Sequence, residues 1–305
     1  MHNKVLVVGS MNMDLVVQTE RYPQTGETII GKYFKEIPGG KGANQAVAVG
    51  KLGGQVSFIG ACGIDHFGDS LISNLEEAGV KTDSIFRLEE STGVAAITVE
   101  DSGDNRIVVV PGANGKLRKT MIDKRENKIK EAEVILLQME IPLETIIHTI
   151  NLADKYQTTV ILDPAPAQKL PEDIYDKIDY LLPNEGELDL LLEDYRFKNR
   201  QEKIDQLLSW GVNKVLLTKG KNGITLYTND EEQDYAAIEV EAVDTTAAGD
   251  SFAGAFAYCL QQGWDEEKSI RFANQVAALA VTKLGAQTSL PSLSEVKAFQ
   301  QERGL

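Results

Sequence analysis

The chain has 305 residues, 42% of them hydrophobic and 25% charged, with a formal net charge of −15. That length suits one large α/β domain or two small ones, and the acidic balance argues against a nucleic-acid surface, which draws its affinity from clustered Lys and Arg. Cys62 and Cys259 stand far apart with no Cys-x-x-Cys or Cys/His cluster, and no apolar run approaches membrane-spanning length, so disulfide, zinc and membrane readings fall away and a cytoplasmic enzyme is expected.

The first predicted strand, "KVLVVG" at 4–9, carries one glycine before Ser10, Met11 and Asn12, so the dinucleotide fingerprint is missing. Asn12 and Asp14 lie two apart just beyond it and face the same way in an extended segment. A carboxylate accepts from two neighbouring hydroxyls and an amide both donates and accepts, which suits a vicinal diol; the pair equally reads as a turn signal. Residues 14–37 hold short extended runs split by turn residues. "PGGKGANQ" at 38–45 follows, with Lys35 where a Walker loop needs its first glycine and Gly42 where it needs Ser or Thr. Gly39, Gly40 and Gly42 remove side-chain bulk, while Lys41 and Asn44 present polar heads on one helix face; a helix-capping glycine cluster explains the stretch about as well.

Further strands are expected in "QVSFIG" (55–60), "VILLQ" (134–138), "TTVILDP" (158–164), "DYLLPN" (179–184) and "KVLLT" (214–218). Their alternation with helical patterns predicts α/β architecture: a doubly wound, mainly parallel sheet with helices on both faces. Gly9, Gln138, Asp163, Asn184 and Thr218 end these runs, where open α/β sheets place their ligand crevice. Residues 93–111 read as a hairpin around Asp101, Ser102, Gly103 and Asp104. Together, 14–37 and 93–111 predict a small accessory β-sheet, a discontinuous lid on one domain spanning 1–305. In that lid Ala95, Ile97 and Val99 oppose Val94, Ala96 and Thr98, so both faces are apolar, and small exposed sheets tend to pair. The basic run 116–130, interrupted by Asp123 and Glu126, reads as a solvated helix face.

"VDTTAAGDSFAGAFAYCL" (243–260) is the strongest single motif. Ala247, Ala248 and Gly249 lead into a helix whose first N–H groups are free to meet an anion. Asp250 in that opening turn is either a cap or a base placed to take a proton from an attacking hydroxyl.

"GGKGAN" (39–44), "PNEGE" (183–187) and "DTTAAGD" (244–250), in this order and spacing, resemble the ribokinase family of carbohydrate kinases over essentially the whole chain. The resemblance implies ATP-dependent phosphorylation of ribose at its 5-hydroxyl, with Asp250 as base and the backbone of Ala247, Ala248 and Gly249 as anion hole. It implies sugar contacts from Asn12, Asp14, Gly40, Lys41, Asn44 and Glu140. Asn184 and Glu187 match a motif that organises Mg2+ and phosphate; Thr218, Gly220, Gly223, Gly249 and Asn274 match nucleotide positions. A monovalent cation, K+, is implied at Asp244, Thr246, Ala280, Lys283, Gly285 and Ser289, mostly through backbone carbonyls, and a homodimer through the lid. The rival readings are a same-fold kinase for another sugar or nucleoside, and a non-catalytic sugar or nucleotide sensor; an NAD-dependent oxidoreductase lacks its glycines.

Overall fold

The computed structural model describes residues 4–304. Strand β1 (Val5–Val8) is buried along its whole length and alternates between two cores: Val5 and Val7 join one, Leu6 and Val8 the other. This period-two split is what a strand covered on both faces requires. β2 (Asn12–Thr19) and β3 (Tyr33–Gly39) come next, then α1 (Lys41–Lys51), β4 (Val56–Gly63), α2 (His66–Glu77), β5 (Val80–Leu88), β6 (Gly93–Glu100) and β7 (Asn105–Val110). The helices α3 (Lys119–Asp123) and α4 (Glu126–Glu131) lead to β8 (Val134–Gln138), α5 (Leu143–Tyr156), β9 (Thr159–Asp163), β10 (Tyr180–Leu181), α6 (Glu185–Leu191) and α7 (Arg200–Ser209). The chain closes with β11 (Lys214–Thr218), β12 (Ile224–Tyr227), β13 (Glu232–Tyr235), α8 (Ala248–Gln261), α9 (Glu266–Ala280) and α10 (Leu293–Arg303).

Nine strands form the main sheet in the order β13-β12-β11-β10-β9-β8-β1-β4-β5, parallel from β11 to β5 and antiparallel at the β12–β13 edge. Helices α1, α2, α8, α9 and α10 cover one face and α3 to α7 the other, as the two cores record. All six expected strands are present, although "DYLLPN" contributes only Tyr180 and Leu181. The sequence reading did not find β5, β12 and β13. In the basic run, Ile122 and Ile129 turn inward from two short helices while Lys119 and Lys128 pair with Glu144 and Asp83 outside. Among the described residues no helix is long and apolar enough to cross a membrane.

The second sheet has the order β3-β2-β6-β7, with β2 and β6 parallel and the outer pairs antiparallel. It starts two residues earlier than expected and ends two later, at Asn12 and Gly39, so the lid's root contains site residues. Asn12 pairs with Gly39 on one side and Gly93 on the other. The 101–104 hairpin turn lies where the sequence placed it.

Candidate active site

The strands of the main sheet point their C-terminal ends at one crevice, roofed at its edge by the roots of the lid. Glycines make the approach possible: a Cβ on Gly39 would stand 2.4 Å from Asp14 Oδ2, and one on Gly42 would stand 2.7 Å from Ser10 N. Gly40 has φ +88 and would put a Cβ 2.7 Å from Asn12 N. The bare backbone of "GGKG" thus seats the start of α1 against the β1–β2 junction, and the carboxylate of Glu140 accepts from Ser10 Oγ (2.5 Å) and Lys41 N (3.0 Å) to hold it there.

Asn12 and Asp14 share one face of β2, as alternation requires. Asn12 Oδ1 accepts from Asn114 Nδ2 at 2.8 Å, which spends one of its two lone pairs and fixes the amide's orientation, while its NH2 group has no described acceptor. No described side chain donates to Asp14. Burial, with Glu140 and Asp250 nearby, raises the Asp14 carboxyl to about 7.

Asp250 is the third residue of α8 and caps nothing; the N-cap is Ala247, which adopts a left-handed conformation at φ 60 and ψ 15. Ala248 N donates to Thr245 O and Ser251 N to Ala247 O, while Gly249 and Asp250 have no helical acceptor in reach, so their N–H groups stay available at the positive end of the helix. The Asp250 carboxylate accepts from Asn44 Nδ2 at 2.8 Å and from Gln45 Nε2 at 3.0 Å. Gln45 Nε2 also donates to Asp163 Oδ2 at 2.7 Å, and Gln138 Nε2 donates to Gln45 Oε1. In this buried amide chain the Asn44 and Gln45 donors reach carboxylates, and Gln138 fixes the Gln45 amide by donating to its oxygen. Burial raises Asp163 to about 8, Lys41 opposing and Asp250 and Glu187 adding to the rise. Burial acts to lower the Lys41 ammonium, but Asp250, Asp163, Glu140 and Glu187 outweigh it and hold the group protonated well above its ordinary value.

Lys41, Asp163, Asn184, Glu187, Thr218 and the Ala247–Asp250 turn line one cavity. Asn184 and Glu187 form a reciprocal capping box at the start of α6, each side chain taking the other's backbone N–H at 2.8 Å. One Glu187 carboxylate oxygen and one of Asp163 remain without a described hydrogen-bond partner, a sparse oxygen set of the kind magnesium takes when phosphates supply the rest. Gly220 and Gly223 do not line this cavity. They shape the β11–β12 hairpin, where a Cβ on Gly223 would stand 2.1 Å from Tyr235 O. Asn274 lies outside the cavity too, donating to Ala236 O at 2.8 Å.

Asp244 joins the two loops expected to hold a cation: Oδ1 accepts from Thr246 N and Oδ2 from Gly285 N, both at 2.9 Å. Burial pushes its carboxyl up, and these bonds more than reverse that, so it sits below the usual range. Ala280 O accepts from Lys283 N, the Lys283 ammonium pairs with Glu295, and Ser289 bonds back to Ala286 O. The donors that sequence reasoning missed, Gln45 and Asn114, look like ordinary helix and turn residues until the fold brings their partners in from afar.

The pfkB family carbohydrate kinase profile matches residues 2–293. The chain belongs to the pfkB family of carbohydrate kinases. This carbohydrate kinase is 40% identical over 300 residues to a ribokinase of Lactococcus lactis, covering 98% of this chain and 97% of that protein. It is 37% identical over 299 residues to a deoxyribokinase of Salmonella typhi, covering 97% and 98%. Its fold is ribokinase-like: the structure of Arabidopsis thaliana ribokinase complexed with ribose and ATP superposes with a TM-score of 0.91 at 34% identity, over 97% of each chain.

Proposed function

We propose that this carbohydrate kinase transfers the γ-phosphoryl group of ATP to the 5-hydroxyl of D-ribose. The observation that carries the reading is the meeting of a buried carboxylate, Asp250, with the unpaired N–H groups of Gly249 and Asp250 at the start of α8. A hydroxyl placed there loses its proton to Asp250 while the transferring phosphoryl group's charge meets the helix terminus and the Lys41 ammonium. Asn12, Asp14, Gly40, Asn44 and Glu140 hold and orient the sugar beneath the lid. Thr218, Gly220, Gly223 and Asn274 border the nucleotide. The names of the relatives support ribose and ATP as the substrates, and we place the reaction in the cytoplasm, where ATP is supplied.

Asn184, Glu187 and Asp163 would hold Mg2+ beside the phosphates; when bound, the ion neutralises phosphate charge. The loops at Asp244–Thr246 and Ala280–Ser289 would hold K+ through carbonyl oxygens, a donor type suited to a hard cation. The apolar lid edges fit a homodimer.

The deoxyribokinase relative favours a second reading, the same transfer to deoxyribose. Phosphate transfer from ATP across ribose, 2-deoxyribose, fructose and nucleosides, with K+, Na+ or Li+ at fixed ionic strength, separates these. Ribose as the preferred acceptor with K+ the best salt is the expected result. Transfer to no acceptor would leave a sugar or nucleotide sensor; equal rates in all three salts would remove the K+ site.

A further inference from the structure

The loop that leaves the lid returns to the sugar site through one side chain. Asn114 sits in the short 3-10 helix Gly112–Lys116 just after β7, and its side chain is buried, 1% exposed. Its Oδ1 accepts from Met11 N at 3.0 Å, and its Nδ2 donates to Met11 O at 3.0 Å and to Asn12 Oδ1 at 2.8 Å. Both Asn114 hydrogens and one of its lone pairs are therefore spent on two residues at the β1–β2 junction. Gly93, at the root of β6, leaves the room: a Cβ there would stand 2.3 Å from both Asn114 Nδ2 and Asn12 Oδ1.

From this geometry we infer that Asn114 is a positioning residue that sets the hydrogen-bonding polarity of the sugar site, acting through Asn12. The inference rests on the reading that Asn12 and Asp14 hold the sugar. With Oδ1 committed to Asn114, the Asn12 amide cannot turn over without setting one NH2 group against another. Asn12 therefore turns its NH2 group, a donor, toward the crevice, and Asp14, two residues along the same strand face, faces it as an acceptor when ionised. A vicinal diol satisfies such a pair completely: one hydroxyl oxygen accepts from Asn12 while hydroxyl hydrogens go to Asp14. A sugar lacking one of those hydroxyls leaves a buried polar group unpaired, and sites built this way discriminate strongly. Asn114 thus bears on the choice between ribose and deoxyribose without touching either sugar.

Three variants test this, read by steady-state kinetics for both substrates. Asn12→Asp keeps the acceptor that Asn114 needs and replaces the outward donor with an acceptor. Asn12→Ala removes the group. Asn114→Ala frees the Asn12 amide to rotate. Asn12→Asp and Asn12→Ala should each raise the ribose KM by about 10-fold or more, the cost of an unmade buried hydrogen bond, with the ATP KM within about 2-fold. Asn114→Ala should also raise the ribose KM and bring the ribose to 2-deoxyribose ratio of kcat/KM nearer to one, and it should add little in the Asn12→Ala background. A purely structural role would instead weaken ATP and ribose alike and persist in that background, which would overturn the inference. Ribose binding by Asn12→Asp equal to that of the parent would overturn it as well, and that variant leaves the Asn114 bonds intact should Asn114→Ala fail to fold. If Asn12→Ala leaves the ribose KM unchanged, the sugar-site reading itself fails.

Discussion

At the scale of single residues, Asp250 and Asp14 are two carboxylates a short way apart with opposite surroundings. Asp250 is gripped by two amide donors, Asn44 and Gln45, which point its oxygens without protonating them. Asp250→Asn keeps the volume and removes proton acceptance, so turnover should fall by about 10²- to 10⁴-fold while ribose binding, measured by calorimetry, persists. Asp14 has no such donors, and burial beside Glu140 and Asp250 raises it to about 7. Because this folded value exceeds the unfolded one, the native protein binds the extra proton, and Asp14's contribution to stability falls as pH rises from about 4 to about 7. The ionised form accepts sugar hydroxyls at both oxygens and binds them more strongly than the protonated form, which keeps one good acceptor oxygen. Ribose affinity should therefore rise between about pH 6 and pH 8, with proton release on binding, and Asp14→Asn should flatten that dependence. Calorimetry in two buffers of different ionisation enthalpy measures the released proton directly; pH-independent affinity in the parent would remove the assignment.

Among elements, α8 shows why a helix start was legible in sequence and its strain was not. Small residues followed by a helical pattern announce the terminus, but Ala247 holds a left-handed conformation that alanine seldom adopts. Glycine at this position relieves the strain at a smaller cost in unfolded-chain entropy, so Ala247→Gly should stabilise the fold by about 1 kcal/mol with activity kept. Chemical denaturation reads the change, and a loss of stability would mean that the Ala247 methyl packs productively. The inner parallel strands were legible because they are continuous β-branched and leucine runs buried on both faces. Strands such as "EQDY" in β13, exposed at the sheet edge, carry no such signal. "NEGE" spells a capping box as plainly as it spells a phosphate motif, and the capping box is formed in the structure. Gln45 and Asn114 were illegible for a different reason: their partners lie about a hundred residues or more away, at Asp163, Asp250, Met11 and Asn12, and only the topology joins them.

For the molecule as a whole, the lid is where exposed apolar side chains run consecutively, whereas Ile64, Leu190, Val243 and Leu284 are exposed singly elsewhere. Ile107, Val108, Val109 and Val110 on β7 and Phe34 on β3 are all about half exposed or more. Strand register assigns them to faces: Val16, Ile97 and Ile107 stand abreast, as do Asp14, Ala95 and Val109 one step nearer the root. The apolar tip of the sheet is thus continuous with the face that carries Asp14. On the other face, Met13, Leu15 and Val94 pack against the main core, which fixes the lid's base and leaves its tip to find other cover. On the proposed homodimer a second copy would supply that cover by symmetry, lid against lid, and would shut the same face that carries Asp14. Ile107 is 52% exposed in the single chain, so an aspartate there costs the isolated fold little. Ile107→Asp should accordingly give a folded monomer by light scattering, with unchanged melting of the main domain and a ribose KM raised by about 10-fold, since on this reading a closed lid would keep water from the sugar's hydrogen bonds. The ATP KM should stay within about 2-fold, because the residues proposed for the nucleotide lie away from the lid. A parent protein that is monomeric at micromolar concentration and fully active would show that the lid closes over the sugar alone.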